Sequence, residues 1–355
     1  MAFSQWDPSN LPVRPGLYIN FVEAAAAQIG GGTRGTVAIP LKKYSGTATA
    51  EKYYVIDNVG DAINLFGSDN IQSIKFAFAG GAKEVVAYTL PKIDGTNVTE
   101  DKAYTEAREG FEAYPFNVFV YDGEVSAEQL SAAVAWLQQN RQERNPFMFV
   151  AGGTAADDKD PALGNARTSQ LADEAVVNLI VGATVDGVDY SSAEYAPYIA
   201  GLIAGTPINR SITYTAVPVD DVTKRLRNSE IITALKAGSL VLVNDGDNVK
   251  IEQGITTGKK KIRSISARYA IARDIEKTAR DNYIGKLNNN ADGQAALISA
   301  IKAYLETLEN EDVLILNDKS VVLDPQYPST GDTVYLSINY QEVDSMEKIL
   351  LTISI

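Results

Sequence analysis

The chain contains neither cysteine nor histidine. Without cysteine there can be no disulfide, no thiolate metal ligand and no thiol nucleophile, a composition compatible with a reducing compartment. Without histidine, Ser-His-Asp and Cys-His arrangements, imidazole acid–base catalysis and ordinary zinc sites are all excluded. Long apolar runs are also missing. The most apolar windows, 175–185 and 195–208, are short or interrupted by Pro197, Gly201, Gly205 and Pro207, so no membrane span is expected. No charged-then-apolar leader opens the chain, and a secretory signal is not expected. Positive charge is in deficit: the formal net charge is −13, which argues against nucleic acid as a partner and favours solubility at high concentration.

At 355 residues, with 45% hydrophobic and 22% charged content, the chain has the composition of a soluble globular protein of two or three domains. Strand-like runs occur at Thr36–Leu41 and Tyr53–Ile56, short helical patterns at Val59–Phe66 and Ile71–Ala79, and a β-rich run at Lys83–Leu90. A helix is predicted over 100–112, with Ala103, Ala107 and Phe111 on one face. Phe116–Tyr121, a helix opened by a capping box at Ser126–Gln129, and Phe147–Ala151 form the clearest unit, a βαβ crossover with parallel strands. Residues 169–181 read as a helix running into Asn178–Val181, and Ser191–Ala204 as another helix. Leu240–Val243 and Val249–Glu252 flank an Asp-Gly turn and read as a hairpin. A short basic strand over Lys259–Ile265 and helices over 267–283 and 292–309 follow, the last with Leu297, Ile301, Leu305 and Leu308 on one face. The expected organisation is an arm and joint (1–30), a small β-rich domain (31–82), an α/β core (83–240), an α+β domain (241–340) and a terminal strand (341–355).

No motif completes a catalytic or cofactor site. Gly30–Gly35 lacks the Lys-Ser/Thr of a phosphate loop, and Ala151–Thr154 follows a strand without completing a dinucleotide fingerprint. Asp245-Gly246-Asp247 resembles part of a calcium loop, but Thr256 stands where the bidentate Glu belongs; a hairpin turn is the better reading. Asp157, Asp158 and Asp160 read as a solvated turn. No catalytic residue, cofactor or metal is expected, although a carboxylate-dependent enzyme on the α/β core remains an alternative.

Both ends of the chain carry amphipathic strand patterns. After Pro8, Pro12 and Pro15, Leu17, Ile19 and Phe21 alternate with Tyr18 and Asn20. Near the other end Val334, Leu336, Ile338 and Tyr340 alternate with polar residues; beyond Met346 the pattern resumes with Ile349, Leu351, Ile353 and Ile355. Period-two alternation means a half-buried strand, and an unpaired apolar edge is an aggregation hazard. Either these strands close the protein's own sheet or they join another copy; the pattern alone leaves both open. A cluster of cations (Lys259, Lys260, Lys261, Arg263, Arg268, Arg273, Lys277 and Arg280) crowds one segment of an otherwise acidic chain. It reads either as a solvated face or as a docking surface for an acidic partner.

Four segments, Ala200–Ser211, Leu240–Gly254, Tyr283–Lys286 and Val343–Ile349, resemble the contractile tail sheath proteins of phages and phage-tail-like bacteriocins, nearest to the compact sheaths of Gram-positive systems. Pro15–Ile19 and Arg34–Pro40 also fit. The resemblance implies a small N-terminal β domain, a middle domain subtilisin-like in fold but without a catalytic triad, and a C-terminal α+β domain with extended terminal arms. It further implies hexameric rings stacked into a helical sheath that assembles in the bacterial cytoplasm and contracts from a metastable extended state. Its implied partners are copies of itself, a tail tube, and baseplate and tail terminator proteins. The arms would be Leu17, Ile19 and Phe21 at one end and Met346, Ile349, Leu351, Ile353 and Ile355 at the other. Lys259, Lys260, Lys261, Arg263 and Lys302 are the candidates for docking on the tube. Another self-assembling shell or surface-layer protein would share the arms but lack a second packing state.

Overall fold

In a computed structural model of the chain, residues 34–354 are described; the expected arm positions Leu17, Ile19, Phe21 and Ile355 lie outside them. The described residues fall into two compact units: residues 34–273 with 342–354, and Asp274–Gln341.

The larger unit is organised by a six-stranded sheet of β1 (Thr36–Leu41), β2 (Tyr53–Ile56), β3 (Glu84–Thr89), β4 (Val118–Val120), β5 (Met148–Ala151) and β6 (Val176–Asn178), in the order β2-β3-β1-β4-β5-β6. Strand β2 is antiparallel to β3, and all other neighbours are parallel. Every residue of β1 is buried, as expected of a central parallel strand covered on both faces. The small β-rich domain expected over 31–82 is corrected: among the described residues β1 and β2 join the sheet of residues 83–240, and all six residues of Thr36–Leu41 are buried in it.

The helices that dress this sheet are α1 (Val59–Phe66), α2 (Gln72–Gly80), α3 (Glu100–Phe111), α4 (Ala127–Gln142), α5 (Pro161–Gln170), α6 (Ser192–Gly205), α7 (Asn228–Ala237) and α8, which starts at Ile262 and runs to Thr278. Helix α2 packs along α6, and α6 lies on β1, β4 and β5. The predicted crossover of β4, α4 and β5 is present with parallel strands. Ser126 Oγ accepts from Gln129 N, but the Gln129 side chain turns away to Arg108 and Asp101. A complete capping box forms instead at α6, between Ser191 and Glu194. Helix α5 ends at Gln170, so the helix expected over 169–181 is mostly a turn leading into β6.

Smaller sheets complete this unit. Strand β7 (Ala183–Val185) pairs with β8 (Val188–Tyr190) and with β10 (Asp221–Val222). The predicted hairpin, β11 (Leu242–Asn244) with β12 (Val249–Ile251), adds β9 (Ala216–Val217). The hairpin thus belongs to the larger unit, beyond the boundary expected at 240. The basic strand expected over Lys259–Ile265 is corrected as well. Only Lys261 makes a bridge, to Ile255, and α8 begins at the next residue. Buried Ile262 and Ile265 are spaced i, i+3, a helical interval that alternation with Lys and Arg disguises.

In the smaller unit, α9 (Ala291–Asn310) buries Ile301, Tyr304, Leu305 and Leu308 and packs on β13 (Leu314–Ile315) and β14 (Val321–Leu323). Tyr304 Oη donates to Asp274 Oδ2 at 2.6 Å. Strand β14 pairs antiparallel with β15 (Leu336–Ile338), and among the described residues this sheet has two strands. The first of the expected terminal strands, within Val334–Tyr340, is therefore intramolecular.

Candidate interaction surface at the C-terminal segment

Residues 342–354 pack against the larger unit at one end and leave it at the other. Arg268 on α8 pairs with Glu342. Lys261, in the turn before α8, places Nζ 2.8 Å from Asp344 Oδ2 and 3.2 Å from Glu347 Oε2. The Glu347 carboxylate is saturated on both oxygens. Oε1 accepts from Thr213 Oγ1 at 2.9 Å and Ser345 Oγ at 3.2 Å; Oε2 accepts from Gln253 Nε2 at 2.9 Å as well as from Lys261. Its side chain is only 8% exposed.

Local structure explains why these donors converge. The loop after α6 returns at Tyr214 to pair with Ile251 of β12, Tyr214 N donating to Ile251 O. Thr213 Oγ1 accepts from Gly254 N at 3.0 Å, so its hydroxyl hydrogen is directed at Glu347. Gln253 lies two residues past the end of β12, and Ile262 N donates to Gly254 O, which fixes Lys261 beside them. Burial pushes the Glu347 pKa up, but hydrogen bonds from Gln253, Thr213 and Lys261 outweigh it, and the carboxyl is held below its usual range. Desolvation works against the Lys261 charge, and Asp344 and Glu347 more than offset it, so its pKa is raised.

Past Glu347 the character changes. Residues 343–354 form no strand. Ile349 is 68% exposed, Leu350 95%, Leu351 81% and Ile353 82%, and Met346, before the clamp, is 84% exposed. Single exposed apolar side chains are unremarkable, but four within five residues make this a candidate interaction segment.

The alternative enzymatic centres look different. Asp158 is buried and does not lie in a solvated turn: Oδ1 accepts from Ser192 Oγ at 2.6 Å and Oδ2 from Ser192 N at 2.5 Å. Gly153 N donates to the same hydroxyl at 2.7 Å. Burial raises the Asp158 pKa to about 6. This network ties the loop after β5 to the start of α6, with the serine hydroxyl held between the Asp158 carboxylate and the Gly153 backbone. A cleft of about 380 Å³ opens at the ends of β1 and β4, where α/β sheets often bind ligands. Within it Lys42 N donates to Asp122 Oδ2 at 2.9 Å, and Lys42 Nζ donates to Glu124 O, so these three polar groups are engaged with one another. Among the described residues no group of three or more carboxylates is placed to hold a metal ion.

An α/β unit with an anchored, exposed C-terminal segment matches known proteins along nearly its whole length. Residues 97–257 match the phage tail sheath protein central domain, and residues 256–355 match the phage tail sheath C-terminal domain. The chain belongs to the phage tail sheath family. It is 25% identical to the tail sheath protein of Clostridium phage phiCD119, over 93% of this chain and 96% of that protein. Its fold is similar to the sheath tail protein of Desulfitobacterium hafniense, with a TM-score of 0.75, 20% identity and 94% and 98% of the two chains covered. It is also similar to the helical sheath of the anti-feeding prophage in its contracted state, with a TM-score of 0.74, 14% identity and 97% and 99% covered.

The cations expected to dock on a tube fall into two kinds in the structure of this chain. Lys261 is engaged by Asp344 and Glu347, and Arg263 is buried on α8 and contributes to the field at Asp344. Lys259 and Lys260 are exposed in the turn, and Lys302 is exposed on α9, 3.9 Å from Glu306. Two cations of the basic cluster, Lys261 and Arg268, thus pair with an acidic segment of their own chain, Glu342–Glu347, a pairing invisible in sequence because the two stretches lie about 80 residues apart. No helix among the described residues is long and apolar enough to cross a membrane.

Proposed function

We propose that this sheath protein polymerises by donating the strand beyond Glu347 to the sheet of a neighbouring copy. The observation that carries the reading is the exposed run Ile349–Ile353, in which Ile349, Leu351 and Ile353 recur at period two and which has no pairing partner strand among the described residues. Strand addition supplies directional main-chain hydrogen bonds, with side-chain alternation selecting the face. The acceptor is the β14–β15 sheet of another copy. Two strands alone make a marginal sheet, and Leu323 and Tyr335 are exposed beside it. The N-terminal arm with Leu17, Ile19 and Phe21 contributes a further strand. The product is a sheath of hexameric rings around a tail tube, contracting from a metastable extended state as subunits rotate on their strand tethers. Subunits assemble in the bacterial cytoplasm and remain part of a virion or a released tail-like particle, capped by baseplate and terminator proteins. The middle unit is subtilisin-like in layout and carries no enzymatic activity or cofactor.

Tube contact falls to Lys259 and Lys260 in one unit and Lys302 in the other. Each exposed pair is worth about 0–1 kcal/mol, weak enough to release and multiplied by the number of subunits.

The deciding experiment is truncation after Glu347, followed by electron microscopy. The expected product is a folded, soluble subunit that forms no hollow cylinders. Normal cylinders from the truncated chain, or a chain that unfolds, would show that the last strand serves its own subunit. Sheets or closed shells from the full chain would favour a surface-layer protein.

A further inference from the structure

The strand-donation reading leaves open which part of the donor subunit carries the arm. Two answers are available, because the chain passes through Asp274–Gln341 and then returns to the larger unit before it ends. If residues 342–347 were loose, the arm would hang from β15 and follow the smaller unit. If they are fixed, the arm departs from the body that contains the six-stranded sheet.

We propose that Glu347 is a positioning residue, locking the exit of the arm to the larger unit, so that the donated strand begins at Lys348. This inference rests on strand donation. Its ground is the saturation of one carboxylate by donors from distant parts of the chain: Thr213 on the loop after α6, Gln253 just past the end of β12, and Lys261 before α8. Five contacts on two oxygens, counting Ser211 Oγ at 3.5 Å, hold that carboxylate in its orientation. Asp344 shares Lys261, and Glu342 pairs with Arg268, so three acidic residues on a six-residue stretch are fastened to one face. Ser211 of Ala200–Ser211 and Gln253 of Leu240–Gly254 both reach Glu347 of Val343–Ile349, so three separate stretches of the chain meet here. Ser345 reinforces it from within the segment. One residue later every side chain from Lys348 to Ser354 is exposed.

The lock sets where pairing starts. The seven described residues Lys348–Ser354 would reach roughly 23 Å at strand geometry. Release of residues 342–347 would add about 20 Å and would permit pairing slipped by two residues. Such a slip keeps the apolar face of Ile349, Leu351 and Ile353 on the same side, so side-chain alternation does not forbid it. The lock is therefore what fixes the spacing between donor and acceptor, and it moves the mechanical link onto the larger unit of one copy and the β14–β15 sheet of the next.

The test uses the full chain, whose lack of cysteine allows clean labelling. Spin labels at Asp247→Cys and Met346→Cys report the distance across the larger unit in dilute, unassembled subunits. The distribution is expected to be narrow, to broaden at least twofold with Lys261→Glu, to broaden less with Glu347→Gln, and to narrow again in the exchange Lys261→Glu/Glu347→Lys. In electron micrographs, the two single variants are expected to give sheaths of irregular subunit spacing, with the yield of ordered cylinders reduced at least fivefold for Lys261→Glu. The charge exchange is expected to recover both. Thermal melting of each variant separates these effects from unfolding; if Lys261→Glu melts early, Glu347→Gln carries the comparison. Native spacing and unchanged label distances in both single variants would overturn the lock while leaving strand donation standing. Cylinders from the chain truncated after Glu347 would overturn strand donation itself.

Discussion

Gly201 of α6 lies against the backbone of Ala77 in α2, so close that a Cβ built on Gly201 would sit 2.0 Å from the Ala77 carbonyl oxygen. One turn further, Gly205 meets Gly81 O in the same way, at 2.2 Å. Two helices in this kind of contact cannot admit even a methyl group without moving apart. Gly201→Ala is expected to destabilise the subunit by about 1–3 kcal/mol through overpacking, read from urea unfolding of the dilute protein. An unchanged midpoint would mean that α2 and α6 can separate freely.

The burial of Asp158 should be visible in the pH dependence of stability, because it outweighs the hydrogen bonds from Ser192 that favour the ionised form. The folded pKa of Asp158, about 6, lies above the ordinary carboxylate value of 3.8. A raised folded pKa means that its contribution to stability is full below about 4 and is lost as pH rises through about 6. Asp158→Asn removes the ionisation, so the variant is expected to lose the fall in stability between these values. The check is a series of urea midpoints from pH 4 to 7, in which parallel curves for the two proteins would refute the assignment.

Arg141 near the end of α4 grips Asp173 with two bonds, at 2.7 and 2.9 Å, and the Asp173 side chain is 5% exposed. Burial opposes the Asp173 charge, while Arg141, the Ala175 N–H and Gln138 outweigh it and lower the pKa. A lowered folded pKa places this contribution above the ordinary carboxylate range and removes it as pH falls through the folded value. Arg141→Ala should cost about 2–3 kcal/mol, less than for a fully buried pair because Arg141 is partly exposed. The double variant with Asp173→Asn should recover part of the loss in thermal melts.

The arm offers a directional test. On an added strand, Leu351 shares a face with Ile349 and Ile353, while Leu350 points to the opposite face. Both are exposed in the subunit, so neither Leu351→Asp nor Leu350→Asp should change its stability by more than about 0.5 kcal/mol. Leu351→Asp is expected to abolish cylinders and Leu350→Asp to weaken them. Equal effects on assembly, measured by sedimentation and microscopy, would contradict pairing as a strand.

What the sequence disclosed followed from local periodicity. Strands β4 and β5, helices α3, α4, α6 and α9 and the β11–β12 hairpin all carry their signals within about twenty residues, where side-chain period and turn chemistry act directly. The same locality misled at Lys259–Ile265, where alternating charge imitated a strand over a turn and the start of α8. It also misled at Asp158, whose run of acidic neighbours resembled a solvated turn although Ser192, 34 residues away, draws it inside. Segments resembling tail sheath proteins identified the family without showing that several of them meet in space.

The sequence by itself determined the family, the absence of cysteine and histidine chemistry, the presence of an α/β core and the amphipathic character of the C-terminal segment. Tertiary structure decided which sheet β1 and β2 join, which of the strand patterns near the C-terminus pairs within the subunit, and what the basic cluster faces. Glu347 depends on Thr213, Gln253 and Lys261, which lie 134, 94 and 86 residues away in the chain. A polar contact of that separation has no period and no composition of its own. Its energy arises only once the backbone has brought a desolvated carboxylate to its donors.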